Sequence, residues 1–482
     1  MDYYIGVDIG TTSTKAVAFN IDGEAIAKHT IGYNLYHPQQ NFSELKPLEV
    51  FDAVINCLHQ IELSLPNYNP VLISFDALMH SIIAVDKNNN LLTNCIIWAD
   101  NRAADTAEQL KKSPIGNTIY QTTGVPIHSM SPLCKLLWMK ENQPETFGQS
   151  SMFIGIKEFV FYQLFGNYIV DTGIASTTGL LNIHTLEWEK TILDLVGINE
   201  NQLPQLVSPQ HQFSLPAETD FKLNAFKNTI FVIGGSDGGF ANLGSGAITK
   251  NELAVTIGTS GAVRMLSNQV YTDSLSRTFC YFVNGQDYII GGASNNGAIA
   301  MQWLQENILE TDTDLSNLLR IAEAIKQGCD GLLFLPYLMG ERAPLWNAHA
   351  KATFFGLDVT HTKAHLVRAA MEGVLYNLYA IAEILFSFYK PSIIYANGGF
   401  TKNSYWVQML SDIFNMQVNV PTSEESSAWG AVMVGLQSMN IPFLIKQSFA
   451  KQYSPNHENH QLYMQCFVKF QQLNKLLADE FR

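Results

Sequence analysis

The sequence predicts an α/β chain of two domains built on one plan. Short apolar runs of strand character alternate with longer segments of helical period. A pattern of strand, glycine and hydroxyls occurs twice, once in each half. A chain of 482 residues is also too long for one core, and two domains of roughly 200 to 250 residues fit the size at which cores stop growing.

The first element is the hairpin around Ile5–Val17. Ile5, Val7 and Ile9 alternate with Gly6, Asp8 and Gly10, and Ala16 to Phe19 resume the apolar run. Between them lies the turn Gly10-Thr11-Thr12-Ser13-Thr14-Lys15. A glycine there lets backbone N–H groups approach a ligand, hydroxyls add donors and Lys15 adds positive charge, a combination that suits a phosphate. Taken alone, it could equally be a hydroxyl-rich turn that binds nothing. The pattern returns, however, at Leu253–Leu266, where Val255-Thr256-Ile257-Gly258-Thr259-Ser260-Gly261 stands against Val7-Asp8-Ile9-Gly10-Thr11-Thr12-Ser13. Two such turns, one per half and facing each other, would hold a polyphosphate between them.

Further strands are expected at Val71–Phe75, Ile82–Val85, Cys95–Trp98 and Phe231–Ile233, and helices at Leu133–Lys140 and Lys157–Phe165. The glycine-rich stretch from Leu243 to Lys250 marks the expected boundary, giving domains of residues 1–246 and 247–482. A helix from Lys363 to about Tyr379 follows from Leu366, Ala369, Ala370, Gly373, Val374 and Leu378 on one face.

Composition narrows the function. A net charge of −14 disfavours nucleic acid or an anionic membrane as partner, so an anionic substrate needs local cations. No apolar run reaches the roughly 20 residues of a membrane span, and Met1–Tyr4 lacks the basic start of a signal peptide, which points to a cytoplasmic protein. Six dispersed cysteines without a C-x-x-C argue against disulfides or a zinc ribbon. His361 and His365 have helical spacing but lack the glutamate of H-E-x-x-H, which disfavours a metal there.

With these residues in hand, the chain resembles the FGGY carbohydrate kinases of the actin-like ATPase superfamily. The resemblance rests on the two turns, on Ile393–Asn403 with its Gly398-Gly399, on Gly234-Gly235-Ser236-Asp237-Gly238-Gly239, and on Leu338–Trp346 followed by Phe355-Gly356-Leu357. It implies two ribonuclease-H-like domains around a central cleft, with ATP and Mg²⁺ as cofactors. It further implies that Gly10, Thr11, Thr12, Ser13, Thr14, Lys15, Gly258, Thr259, Gly297, Gly398, Gly399 and Asn403 contact the nucleotide and that Asp8 acts through the metal. Asp237 takes the place of the family's catalytic aspartate, and Met79, His80, Asp100, Asn101 and Arg102 that of the sugar site.

Within the family, Met79–Ile82, Leu92–Arg102, Gly155–Glu158 and Gly340–Asn347 look most like the subgroup that phosphorylates gluconate; Ala343 and Asn347 depart from the xylulose subgroup. The implied reaction is ATP-dependent phosphorylation of a sugar or sugar acid, gluconate first and xylulose second. For gluconate, His80 and Arg102 are the nearest candidates to receive the carboxylate, with Lys135 and Lys157 behind them. Arg102 could instead pair with Asp100, and Glu341 and Arg342 could pin a loop. An actin-like, nucleotide-switched binding protein is the reading from another class, and Asp237 speaks against it. A homodimer is one assembly compatible with the sequence.

Overall fold

Side chains along Asp2–Ile9 alternate between two interiors. Tyr3, Ile5, Val7 and Ile9 enter one core while Tyr4 enters another, the signature of a strand covered on both faces. In the computed structural model, which describes residues 1–216, 223–309, 315–422, 425–444 and 448–481, this segment is strand β1. It begins a six-stranded sheet completed by β2 (Ser13–Phe19), β3 (Ala25–Gly32), β4 (Asn69–Ala77), β5 (Gln212–Phe213) and β6 (Ile230–Ser236). The spatial order is β5-β6-β4-β1-β2-β3. β1, β2 and β3 run antiparallel, β4 and β6 run parallel to β1, and β5 closes the edge antiparallel. Helix α1 (Pro47–Ser64) covers one face with Val50, Phe51, Val54, Leu58 and Ile61.

β6 ends in a bulge. Its pairing with β4 shifts register between Val232 and Gly235, and Gly234 has φ 67°. A Cβ on Gly234 would be driven into the carbonyl of Phe75, so only glycine fits this turn. The turn aims the chain into helix α2 (Asp237–Gly244), whose N-cap Ser236 accepts a hydrogen bond from the Gly239 amide.

The second sheet repeats the first. Its strands are β7 (Glu252–Ile257), β8 (Gly261–Ser267), β9 (Phe279–Asn284), β10 (Asp287–Ser294), β11 (Ile393–Asn397), β12 (Gln417–Pro421) and β13 (Phe449–Tyr453), in the order β9-β10-β8-β7-β11-β12-β13. From β10 to β13 the sequence of antiparallel and parallel pairings equals that from β3 to β5 in the first sheet, with β9 added at one edge. The repeated turn pattern thus reflects a repeated topology.

Helix α3 (Lys363–Phe386) runs seven residues past the expected end near Tyr379, because Ile381, Ala382, Ile384 and Leu385 continue the buried face. At 24 residues and a mean hydropathy of 1.3 it could span a membrane by length and composition, yet it is packed inside the second core. Helix α5 (Ser426–Ser438) leaves the second half to cover the remaining face of the first sheet, where Ala428, Ala431, Val432 and Leu436 meet Tyr4, Val17, Phe19, Leu72 and Val232. A Cβ on Gly6 would strike the carbonyl of Ala428, so backbone lies on backbone there. The expected helices at Leu133–Lys140 and Lys157–Phe165 lie within Pro132–Asn142 and Ile156–Phe165. The expected strand Cys95–Trp98 is shorter, Cys95–Ile96, and Trp98 turns away into the cleft.

Candidate functional site

Both hairpin turns reach the cleft between the sheets, the first through Thr11 and the second through Gly258 and Ser260. A cavity of about 250 Å³ lies there, lined from the first half by Thr11, Met79, His80, Trp98 and Asp237 and from the second by Thr256, Gly258, Ser260, Arg264 and Arg342. A second cavity of about 340 Å³ is lined by Asn397, Gly398, Gly399 and Lys402, with Ala241 and Asn242 of α2. The two cavities share Thr256 and Arg264. A small molecule in the first and a nucleoside in the second would therefore meet beside Asp237.

Asp237 is the first residue of α2, held by the bulge before it, and its Oδ1 accepts the Gly238 amide at 2.6 Å. Burial pushes its carboxyl up to about 6, Asp8 adds to the rise, and Arg264 opposes it. Asp8, next to the last residue of β1, lies directly beside Asp76 of β4. Asp76 is fully buried, neither of its carboxyl oxygens has a hydrogen-bond partner among the described residues, and burial together with Asp8 and Asp237 holds its pKa well above the usual carboxylate range. Asp8 itself accepts from Ser427 Oγ at 3.0 Å. Among the described residues no three acidic, His or Cys side chains converge as direct metal ligands, but the orphaned Asp76 oxygens beside Asp8 fit a divalent cation held through its own waters.

The remaining residues expected at the site divide into those that reach a cavity and those that do not. Thr11, Gly258, Gly398, Gly399, Met79 and His80 line one. Gly10 donates to Ser13 O to close the first turn, and Thr12 and Thr259 stand exposed on the two turns. Gly297 donates to Thr259 O and buttresses the second turn. Thr14 is a correction: it belongs to β2, is fully buried, and cannot reach a nucleotide. Lys15 is engaged by Glu425 at 2.6 Å. Asn403 caps helix α4 (Ser404–Phe414) by accepting from the Trp406 amide.

The sugar-side expectations need more revision. Arg102 lines neither cavity; its guanidinium bonds to Asp100 and to Glu44 and stacks 3.8 Å from the Phe42 ring. Asp100 also accepts from the Ser43 amide, and Asn101 accepts from Ser129 Oγ. The alternative of an Asp100–Arg102 pair is the one observed. His80 does line the cavity, but its Nδ1 faces Thr177 O at 2.8 Å and so carries the proton, while burial lowers its pKa to about 3. It presents an uncharged Nε2 that accepts a hydroxyl and offers no charge to a carboxylate. Lys135 is spent on the carbonyls of His80, Ile96 and Ile97, and Lys157 on Gly235 O and Asp171.

Arg264, Tyr281, Trp346 and Asp76 were not expected at the site. Arg264 was within reach of the pattern: it is the one charge in the apolar strand β8, on the face opposite the core residues Val263 and Met265. Trp98 donates its Nε1–H to Thr11 Oγ1 and shapes the cavity wall.

The N-terminal domain model of the FGGY family of carbohydrate kinases matches residues 3–244, and the C-terminal domain model matches residues 253–439. The chain belongs to this family. This kinase is 40% identical to a gluconokinase of Bacillus subtilis (strain 168) over 99% of its own length and 97% of that protein, and 28% identical to a xylulose kinase of Staphylococcus xylosus over 90% of each. Among solved structures, a gluconate kinase from Lactobacillus acidophilus superposes with a TM-score of 0.96 at 34% identity, covering 100% of this chain and 99% of that one. A ligand-bound xylulose kinase from the same organism gives 0.94 at 33%, with the same coverage.

Proposed function

We propose that this carbohydrate kinase transfers the terminal phosphoryl group of ATP to the 6-hydroxyl of gluconate. The observation that carries the reading is the position of Asp237, in a cavity that also holds the turn residues Thr11 and Gly258 and adjoins the Gly398–Gly399 cavity. The choice of gluconate is supported by the curated relatives, at 40% against 28%; the solved structures, at 34% and 33%, separate the two substrates hardly at all.

In this reading the acceptor lies against Met79 and His80, with a sugar hydroxyl bonded to His80 Nε2, and ATP lies across Thr11, Gly258 and the Gly398–Gly399 segment. The chain divides near Gly246 into a half that supplies Asp237 and a half that supplies the adenosine site. The bond from O6 to phosphorus forms as the bond to the bridging oxygen of ADP breaks, and Asp237 takes the hydroxyl proton late in a loose transition state. Asp8, with Asp76 beside it, would hold Mg²⁺ through its waters. Bound there, the ion neutralises the charge of the phosphates. A pentulose such as xylulose is the second reading, favoured by the uncharged state of His80.

A coupled assay of ADP release over sugars and sugar acids tests the assignment: kcat/KM is expected to be highest for gluconate, and a higher value for xylulose overturns it. The pH profile is a separate expectation. A base raised to about 6 is competent only when deprotonated, so kcat/KM for gluconate should rise through an acid limb centred near pH 6 and level off above it. Full activity persisting at pH 4.5 would remove Asp237 from the proton transfer.

A further inference from the structure

Among the described residues, the arginines engaged in ion pairs are Arg102, Arg277 and Arg368. Arg264 and Arg342 are not among them, although both line the cavity that holds Asp237. Arg342 is buried; its Nη2 donates to Ser294 O at 3.2 Å, its Nε has no partner among the described residues, and its guanidinium lies 4.9 Å from the Trp98 ring centre. The alternative of a Glu341–Arg342 pair is not observed between the side chains. Glu341 instead accepts from Ser294 Oγ, the Asn295 amide, Asn296 Nδ2, Asn377 Nδ2 and the Arg342 amide. The glutamate thus pins the loop by itself and leaves the Arg342 side chain free to point into the cavity.

Two guanidiniums outside any ion pair, with Asp237 the one carboxylate lining their cavity, leave an excess of positive charge there, and each raises the cost of the other. An anion entering the cavity relieves both. The two do not sit at the same end. Arg264 runs along Gly238 at the start of α2, acts on Asp237 more strongly than Arg342 does, and borders the nucleotide cavity. Arg342 lines the first cavity, with His80 and with Trp98 under its guanidinium, and does not border the Gly398–Gly399 cavity.

We propose that Arg342 binds the carboxylate of the acceptor while Arg264 contacts the phosphoryl group in transfer, so that each negative charge meets its own guanidinium. This rests on the sugar-acid reading above. Such a division explains how a protein of net charge −14 can select an anionic sugar: the selecting charge is buried and local.

The test compares gluconate with gluconamide, its uncharged counterpart, in wild type, Arg342→Met, Arg342→Lys and Arg264→Met. Arg342→Met is expected to lower kcat/KM for gluconate by about a hundredfold and to change that for gluconamide only a few-fold, with Arg342→Lys recovering part of the preference. Arg264→Met is expected to lower kcat on both substrates alike. Calorimetric binding of the two ligands with a non-hydrolysable ATP analogue gives the same comparison if gluconamide is turned over too slowly to measure. Melting temperatures identify any variant that fails to fold, and Arg342→Gln then takes its place. Equal loss on both ligands at Arg342, or loss of the charge preference at Arg264, overturns the inference while leaving gluconate as substrate. A wild-type enzyme that phosphorylates xylulose and ignores gluconate overturns the sugar-acid reading, and the inference with it.

Discussion

Asp237→Asn is expected to lower kcat on the sugar substrate by about a hundredfold or more, the range for a lost acid–base group, with ATP affinity close to wild type. Asparagine keeps the shape and the Oδ1 that accepts the Gly238 amide, so α2 should start as before. What it loses is the ability to take a proton and the charge that faces Arg264. The side chain is half-buried at the head of α2, and no other carboxylate lines its cavity to substitute for it. Steady-state ADP release together with calorimetry of ATP binding separates the two effects. Turnover within a few-fold of wild type would show that the hydroxyl proton leaves by another route.

Gly234→Ala is expected to cost about 3 kcal/mol of stability, lowering the melting temperature and removing most activity together. Two penalties add at this position. The residue has φ 67°, where a Cβ is strained, and the Phe75 carbonyl occupies the space the methyl group would need. Relief requires the end of β6 to swing away from β4, and Asp237 is attached three residues later. Thermal melting and kinetics on the same preparation provide the check. A variant of normal melting temperature and activity would mean that the bulge tolerates a side chain and has no part in aiming the aspartate.

Much of this architecture was readable before any coordinates. The strand–glycine–hydroxyl pattern survived in both halves because the turns need glycine and the strands need alternation, both of which are local requirements. Asp237 was legible for the same reason, since its glycine neighbours answer to the backbone on either side. Arg102 was not. Its partner Asp100 is two residues away and visible, but Glu44, which completes the pair, arrives from fifty-eight positions earlier, and only the folded chain brings it there. Arg342 failed in the opposite sense: its neighbour Glu341 looked like its partner, whereas that carboxylate is claimed by Ser294, Asn295, Asn296 and Asn377 from elsewhere in the fold. The burial of Thr14 and the capping role of Asn403 were both legible. Alternation from Ser13 puts Thr14 inside, and an asparagine just before an apolar helix is a cap.

The placement of α5 has a consequence for how the chain comes to be folded. Tyr4, Val17, Phe19, Leu72 and Val232 share a face of the first sheet that a helix from the far end of the sequence covers, alongside Phe240 and Leu243 of α2. During synthesis the first half emerges long before residues 426–438 exist, so its sheet must wait with the part of this face that α2 does not cover open to water. Loop closure between Gly6 and Ala428 spans almost the entire polypeptide, which makes this contact among the last to form and the slowest. The nascent chain is therefore most exposed to aggregation during translation of its second half, and the arrival of one late helix ends that exposure.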